Sequence, residues 1–505
     1  MNILKNISYF GFSTFLSRIL GYLRDTLIAV FLGTSAAADA MFVAFRIPNT
    51  FRSLFAEGSF NSAFIPAYTK QKGAKKKNYF ANQVLNLLIF FILFLVFVIE
   101  IFTPQFLSIV SPGFQDIAGK FDLAVTLSRI TFPFLFFISV SSFLSAILNS
   151  KDKFLVTAAA PIILNILLVI TLFFFHDNEI QTVYTLSYAL TIAGVIQVLF
   201  LFFFARKFFK INLSFVVKIN NQVKSFFNQL LPSVFASGVN QINILTGTII
   251  ASFQSGAVSY LYYADRIYQL PLALTGIAIA TVILPKLSKE VFNLKFIKVN
   301  FIQNRSLELC LFLSLPATIG IIIASDQVIS ALYGYGSFTG DSIVNTSSAL
   351  LLFGLGLPAF GLIKIYSSFY FARSNTKFPF YLSLVSVFLN ISVSLIFFKK
   401  YGFLIIPLAT SFSAWFAVLI YQINLIKLGY HSFDKLFFVR LTKSFLSTII
   451  MALILCVLLK YFSHYLELKS LFKAVVLIFI VLFSALMYFL SAYFLKAFSI
   501  KDLKI

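Results

Sequence analysis

Charge is what this sequence has least of. Only 11% of its 505 residues are Asp, Glu, Lys or Arg, and only 17 are acidic, where a soluble domain carries about a quarter charged residues. With 60% hydrophobic residues, the chain excludes a soluble globular class and points to a polytopic membrane protein. Cysteine is equally scarce. Cys310 and Cys456 both fall within apolar runs, which excludes a disulfide framework and a thiolate metal site. The three histidines, His176, His431 and His464, lie in expected loops far apart and form no ligand cluster. No phosphate loop, dinucleotide fingerprint or nucleophile–base pattern appears. The sequence therefore offers no enzyme, no cofactor and no metal site.

What it has is long apolar runs. Stretches of about 20 residues or more, enough to cross a bilayer as helix, are expected near 5–32, 37–63, 79–104, 120–149, 154–175, 181–205, 223–253, 257–285, 303–324, 343–373, 376–398, 402–427, 438–461 and 472–496. The expected fold is all-α and polytopic, with about fourteen transmembrane helices. Arg18, Arg24 and Asp25 spoil any signal-peptide core, so the first helix is expected to be retained.

The net charge of +23 is scattered through short loops, which speaks for topology and against a nucleic-acid partner. Of the 40 basic residues, 27 fall in the termini and even-numbered connections. Only Lys120, Lys399, Lys400, Lys460, Lys469 and Lys473 fall in the odd-numbered ones. The bias places both termini in the cytoplasm. The remaining seven, Arg18, Arg24, Arg46, Arg52, Arg129, Arg266 and Lys364, are expected inside the membrane.

An internal repeat organises the spans. Ile28 to Phe31 precedes Arg46 and a Pro-Ala-Tyr-Thr-Lys ending at Lys70; Ile250 to Phe253 precedes Arg266 and a Pro-Lys-Leu-Ser-Lys ending at Lys289. Pro133 and Asn165 are separated by 32 residues, as are Pro358 and Asn390. Offsets of about 220–226 residues recurring in order predict two six-helix lobes related by a parallel repeat, enclosing a central cavity. The expected domains are 1–215, 216–430 and an unrepeated helix pair at 431–505. If that pair packs outside the lobes, it offers a groove for a lipid tail.

The most informative stretch runs from Ser17 to Glu57, two expected helices that carry Arg18, Arg24, Asp25, Asp39, Arg46, Arg52 and Glu57. An ionised side chain at mid-bilayer costs roughly 2.5–3.5 kcal/mol on insertion scales, so these must face a wet or mutually paired interior. Arg18 and Asp25 are seven residues apart and nearly eclipsed, as are Asp39 and Arg46. Mutual pairing as glue between helices accounts for those four and leaves Arg24 and Arg52 over. Pro48 crowds the carbonyl of Ala44 and predicts a kink beside Asn49 and Arg52. In the second lobe Asp265, Arg266 and Gln269 share one helix bent by Pro271, with Arg266 placed by the repeat to face Arg46. Lys364 is a further buried cation. A surplus of guanidinium groups suits an anionic, phosphorylated solute. An exporter of drug cations wants surplus carboxylates instead, and a membrane enzyme wants a catalytic acid in a sizeable outer loop.

The motifs SRILGYLRD, DAMFVAFRIPNTFRSLFAEGSFNSAFIP and YADRIYQLP followed by GIAIATVILPKLSK resemble those of the MurJ (MviN) lipid II flippases of the multidrug/oligosaccharidyl-lipid/polysaccharide exporter superfamily. The resemblance spans essentially the whole chain. It implies alternating access that moves undecaprenyl-pyrophosphate-linked disaccharide pentapeptide, lipid II, from the inner to the outer leaflet of the bacterial cytoplasmic membrane for peptidoglycan synthesis. Membrane lipids and the cell-wall synthesis machinery are the other implied partners. Carried over by motif, Arg18, Arg24, Arg52 and Arg266 match the family's cavity arginines, and Ser17, Asp25, Asp39 and Asn49 its associated polar positions. Ser53 stands where some members have a second Arg, and Gln269 where some have Glu. The seventh and eleventh spans offer Asn240, Asn243 and Asn390 but no carboxylate. A sodium site is therefore poorly supported, and a proton or membrane-potential drive stays open.

Overall fold

The structure, a computed structural model, describes residues 3–56, 59–214, 220–468 and 470–498. All regular structure among them is helical, as apolar runs without β-alternation dictate. Contacts divide the chain into two units, 1–259 and 260–505. Glu57 lies outside the described residues.

The first unit holds α1 (Ile3–Leu32), α2 (Ala36–Ala56), α3 (Ser59–Thr69), α4 (Ala74–Ile101), α5 (Thr103–Val110), α6 (Lys120–Thr131), α7 (Pro133–Asn149), α8 (Phe154–Phe174), α9 (Glu179–Ala205) and α10 (Asn221–Ala251). Helix α1 packs along α8, α2 along α6, and α7 and α8 along α9. The abundant phenylalanine serves as core: Phe60 and Phe64 of α3, Phe80 of α4, Phe143 of α7 and Phe226 of α10 meet with ring centroids 5.3–6.3 Å apart, within the favourable range for aromatic pairs. Although the repeat assigns α10 to the second lobe, its packing partners in this unit are α2, α3, α4 and α5.

The second unit begins within α11 (Ala257–Leu272). It continues through α12 (Ala278–Phe292), α13 (Phe296–Tyr333), α14 (Gly340–Phe371), α15 (Lys377–Tyr401), α16 (Ile405–Lys427), α17 (Lys435–Tyr461), the short α18 (Ser463–Leu466) and α19 (Phe472–Phe494). The single helix expected over 257–285 is interrupted: behind Pro271, residues 273–277 form a π-turn. An extra residue per turn shifts the register of a helix and is found most often where a site or a close crossing requires it. Here it brings Gly276 against Gly361 of α14, so close that a Cβ on Gly276 would lie 2.7 Å from the Gly361 Cα. The helix expected at 303–324 begins earlier, at Phe296, and beyond a kink at Ala324 (φ −113°, ψ 16°), where the expected span ends, helix continues to Tyr333.

Ten stretches among the described residues are long and apolar enough to cross a membrane. The chain is a multi-pass helical membrane protein.

The structure corrects the charge map in three places. Lys120, expected in a loop, is buried with its side chain wholly inaccessible. Lys473, also expected in a loop, is buried at the start of α19, donating to Ser330 Oγ and the Gly334 carbonyl. Arg305 is buried between Glu308 on its own helix and Asp434 before α17, and Arg440 of α17 reaches the same Glu308 at 3.2 Å. Arg305 is among the 27 counted in the even-numbered connections, and all three look like loop charges because each stands at the start of its expected span. Each is a structural cation held by tertiary partners.

Candidate functional site

The polar residues of the first two helices separate into three groups, each fixed by a different helix contact. In the first, Asn165 of α8 reads α1. Its Nδ2 donates to the carbonyl of Ser17 at 3.0 Å, and its Oδ1 accepts from Arg24 Nη1 at 3.0 Å. The Asn165 amide lies beside Gly21, 3.7 Å from where a Cβ would stand, an ordinary contact distance. Arg24 also donates from Nε and Nη2 to Asp25 Oδ1, at 3.0 and 2.7 Å. The carboxylate of Asp25 is almost wholly buried while 15% of the Arg24 side chain stays accessible. The alternative in which Arg18 and Asp25 neutralise each other does not hold: Asp25 pairs with Arg24, and Arg18 is exposed without a hydrogen bond or ion pair among the described residues. Proximity outweighs helical phase because an arginine side chain is long enough to fold back on its neighbour.

The second group lies on α2. Pro48 has no N–H to give the Ala44 carbonyl, and the hydroxyl of Thr131 on α6 supplies the missing donor at 3.1 Å. One turn past the proline, Arg52 Nε donates to Asn49 Oδ1 at 2.8 Å, and Asn49 is exposed. Arg46 is half-buried on the same helix. Ser53 accepts from Gln241 of α10 at 2.8 Å.

The third group centres on Asp39, and it rules out the alternative in which Asp39 is neutralised by Arg46. The Asp39 Oδ2 accepts from Lys120 Nζ at 2.7 Å and from the Gly256 N–H at 2.9 Å. Its Oδ1 accepts from the Ser259 N–H at 2.9 Å and from Ser259 Oγ at 2.6 Å. Both carboxylate oxygens are thereby satisfied with no exposure. Asp39 thus caps α11, a helix remote in sequence, by taking the N–H groups that the first turn of any helix leaves unpaired. Lys120 also stands 4.1 Å over the Phe114 ring. Nothing local in the sequence marked Lys120. Asn165 stood out only as a mark of the repeat, and its hold on Arg24 needed the α1–α8 contact.

In the second unit Arg266 is half-buried on α11, its Nη2 3.1 Å from the Tyr262 hydroxyl and its guanidinium 4.8 Å over that ring. Gln269 bonds Asp265 one turn earlier. Tyr268, between them, stacks with Phe353 of α14 at 4.8 Å and also packs on Phe360. Lys364, expected to be buried, is instead exposed, three residues beyond Gly361 on a face of α14 that no other helix covers there, and its ammonium has no partner among the described residues. Asn390 bonds Thr410 and Ser394. The side chain of Asn240 lies outside the described residues. No group of His, Cys, Asp and Glu suited to a metal occurs among the described residues.

An apolar cavity of about 560 Å³ opens in the same unit, lined by Leu311, Leu362, Trp415, Val418, Phe437 and Phe445 among others, with Tyr366 and Gln422 as its polar edge. Its walls are α13, α14, α16 and α17.

A solved structure described as "Lipid II flippase MurJ, inward closed conformation" superimposes with a TM-score of 0.81 at 30% identity, covering 96% of this chain and 98% of that one. A multidrug resistance MATE family transporter of the MOP superfamily, inward-facing, shares the fold with a TM-score of 0.68 at 16% identity over 82% of this chain and 95% of its own. "Probable lipid II flippase MurJ" of Rickettsia prowazekii is 36% identical over 97% of this chain and 98% of its own length. The protein of the same description from Rhizobium tropici is 38% identical over 82% and 79%. The family profile described as "Lipid II flippase MurJ" matches residues 28–477, a stretch that contains Asp39, Asn49, Arg52, Asn165 and Arg266. The chain, with a transporter fold and these polar helices, belongs to the MurJ family.

Proposed function

We propose that this protein moves lipid II from the inner to the outer leaflet of the bacterial cytoplasmic membrane by alternating access. The observation that carries the reading is full-length membership of a family whose relatives bear that description, joined to an arginine, Arg24, held in place by two other side chains and still accessible. Arg18, Arg24, Arg52 and Arg266 are assigned to the pyrophosphate, with Ser17 and Asn49 beside them. Asp25 orients Arg24. Guanidinium groups suit this cargo because each offers paired N–H donors to phosphate oxygens. The carboxylates Asp25 and Asp39 are each engaged by a cation, an arrangement that favours anions over cationic drugs.

The crossings number fourteen in this reading. The stretch Lys377–Lys427 holds two helices, α15 and α16, that turn at Gly402 with φ 59°, and α1, the α2–α3 pair and α10 add three to the apolar ten. Both termini are then cytoplasmic. The apolar cavity bounded by α17 is assigned to the polyprenyl tail; α17, rather than both added helices, supplies that wall.

The test is a flipping assay in vesicles with purified protein and labelled lipid II. Wild type is expected to expose the lipid at the opposite leaflet, and Arg24→Ala to lose that activity while remaining folded. Full activity of Arg24→Ala would overturn the site, and failure of wild type to flip lipid II while flipping another lipid-linked oligosaccharide would overturn the cargo.

A further inference from the structure

The two units carry the same hydrogen-bonded device at the same place in the repeat. On α4, Asn78 and Asn82 are one turn apart and face the segment that follows α9. Asn78 Oδ1 accepts from the Lys210 N–H at 2.9 Å, and Asn82 Nδ2 donates to the Lys210 carbonyl at 2.9 Å. The second hydrogen of Asn82 Nδ2 goes to the Asn78 carbonyl, also at 2.9 Å. On α13, Asn300 and Asn304 treat Ser432, in the segment that follows α16, in the same way. Asn300 Oδ1 accepts from the Ser432 N–H at 2.8 Å. Asn304 Nδ2 donates to the Ser432 carbonyl at 2.8 Å and to the Asn300 carbonyl at 3.1 Å.

Each member of one device stands 222 positions before its counterpart: Asn78 and Asn300, Asn82 and Asn304, Lys210 and Ser432. Three matched bonds on three matched residues do not arise from helix propensity. Asparagine is a poor interior helix residue because its amide competes for backbone groups. Here that competition is the purpose: between them the two amides engage both the N–H and the C=O of a single residue in the connecting segment, and in the first unit Asn78 Nδ2 also donates to the Lys210 carbonyl at 3.1 Å.

The reinforcement differs between the halves. In the first, Asn82 Oδ1 accepts from the Asn212 N–H at 2.7 Å, and Gln83 accepts from Asn220, which caps α10. In the second, the positions equivalent to Gln83 and Asn212 are Arg305 and Asp434. These form an ion pair, and Asp434 caps α17.

We propose that the two asparagine pairs are equivalent clasps that fasten the chain where it leaves each six-helix repeat, so that each repeat is closed on its own third span, α4 or α13, before the chain passes on. The clasp explains why the repeat ends near Lys210 and Ser432. It does not depend on the identity of the cargo.

Hydrogen exchange of the full chain in lipid nanodiscs, read by mass spectrometry over 207–214 and 430–434, tests this. Wild type is expected to protect both segments. Asn82→Asp keeps the volume and the acceptor but removes both donors, and should speed exchange over 207–214 at least tenfold while leaving 430–434 within twofold. Asn304→Asp should do the reverse. Asn78→Ser, which removes the acceptor of the Lys210 N–H and one of the two donors to the Lys210 carbonyl, should also speed exchange in the first segment and leave the second unchanged. Each variant should keep the wild-type exchange of α8 and α14, which reports that the fold is intact. Free exchange of either segment in wild type, unchanged exchange in the Asp variants, or a rise in both segments from one substitution would overturn the proposal.

Discussion

The Lys120 ammonium meets the Asp39 carboxylate at 2.7 Å, across 81 residues of chain, with neither side chain exposed. The pair holds α6, α2 and the start of α11 to one point, because Asp39 also takes two N–H groups and a hydroxyl there. Removing one member leaves the other charged and buried, which typically costs about 3–5 kcal/mol.

Lys120→Met is therefore expected to lower the thermal midpoint in detergent strongly. Replacing both members, Lys120→Met with Asp39→Asn, should recover part of the loss because no bare charge remains and the amide oxygen still accepts from Ser259, while the Gly256 N–H loses its acceptor. A double variant no more stable than Lys120→Met would contradict the pairing.

Asn165→Leu removes the amide that joins Arg24 to Ser17. The expected result is at least a tenfold loss of lipid II flipping with little change in folding, since Arg24 keeps Asp25. Flipping at the wild-type rate would show that the orientation of Arg24 by α8 does not matter.

These partnerships mark the limit of what the sequence could say. The apolar runs and the charge-bearing helices α1, α2 and α11 were legible, because length and hydropathy are local properties. Even the effect of Pro48 on the Ala44 carbonyl followed from covalent chemistry. The partner of each charge was not legible. Helical phase suggested Arg18 for Asp25 and Arg46 for Asp39, whereas the structure uses Arg24, the immediate neighbour, and Lys120 from another helix. Lys120, Arg305 and Lys473 looked like loop charges because burial of a cation is decided by what another helix brings to it. The π-turn behind Pro271 was likewise hidden, since the close crossing of Gly276 with Gly361 that accompanies it is a tertiary contact.

That approach yields a packing prediction. A Cβ on Gly361 would stand 2.8 Å from the Cys310 sulfur, and one on Gly276 would meet the Gly361 backbone. Gly361→Ala is expected to destabilise by about 1–3 kcal/mol through overpacking. Adding Cys310→Ala should relieve that clash but should not rescue Gly276→Ala, whose obstacle is main chain. Thermal unfolding of the four variants checks this.

His431, in the connection between α16 and α17, titrates low, at about 4, chiefly because it is buried, with Arg373 adding to the effect and Asp434 opposing it. The unfolded chain takes up a proton near pH 6.5 that the folded ring refuses until about pH 4. Folding stability should therefore fall as pH drops through that window, by about 3 kcal/mol in all, and stay unaffected by this group above it. His431→Gln should flatten the midpoint between pH 6.5 and 4. An equally steep decline in the variant would assign the pH dependence elsewhere.

The most direct test of the central claim is made in cells. A bacterium depleted of its own lipid II flippase is given this protein, and lipid-linked peptidoglycan precursor exposed at the outer leaflet is measured. Exposure is expected to return with wild type and not with Arg24→Ala present at the same level in the membrane. Exposure that fails to return with well-expressed wild type, or that returns equally with Arg24→Ala, would contradict the assignment of lipid II to this protein or of Arg24 to its headgroup, respectively.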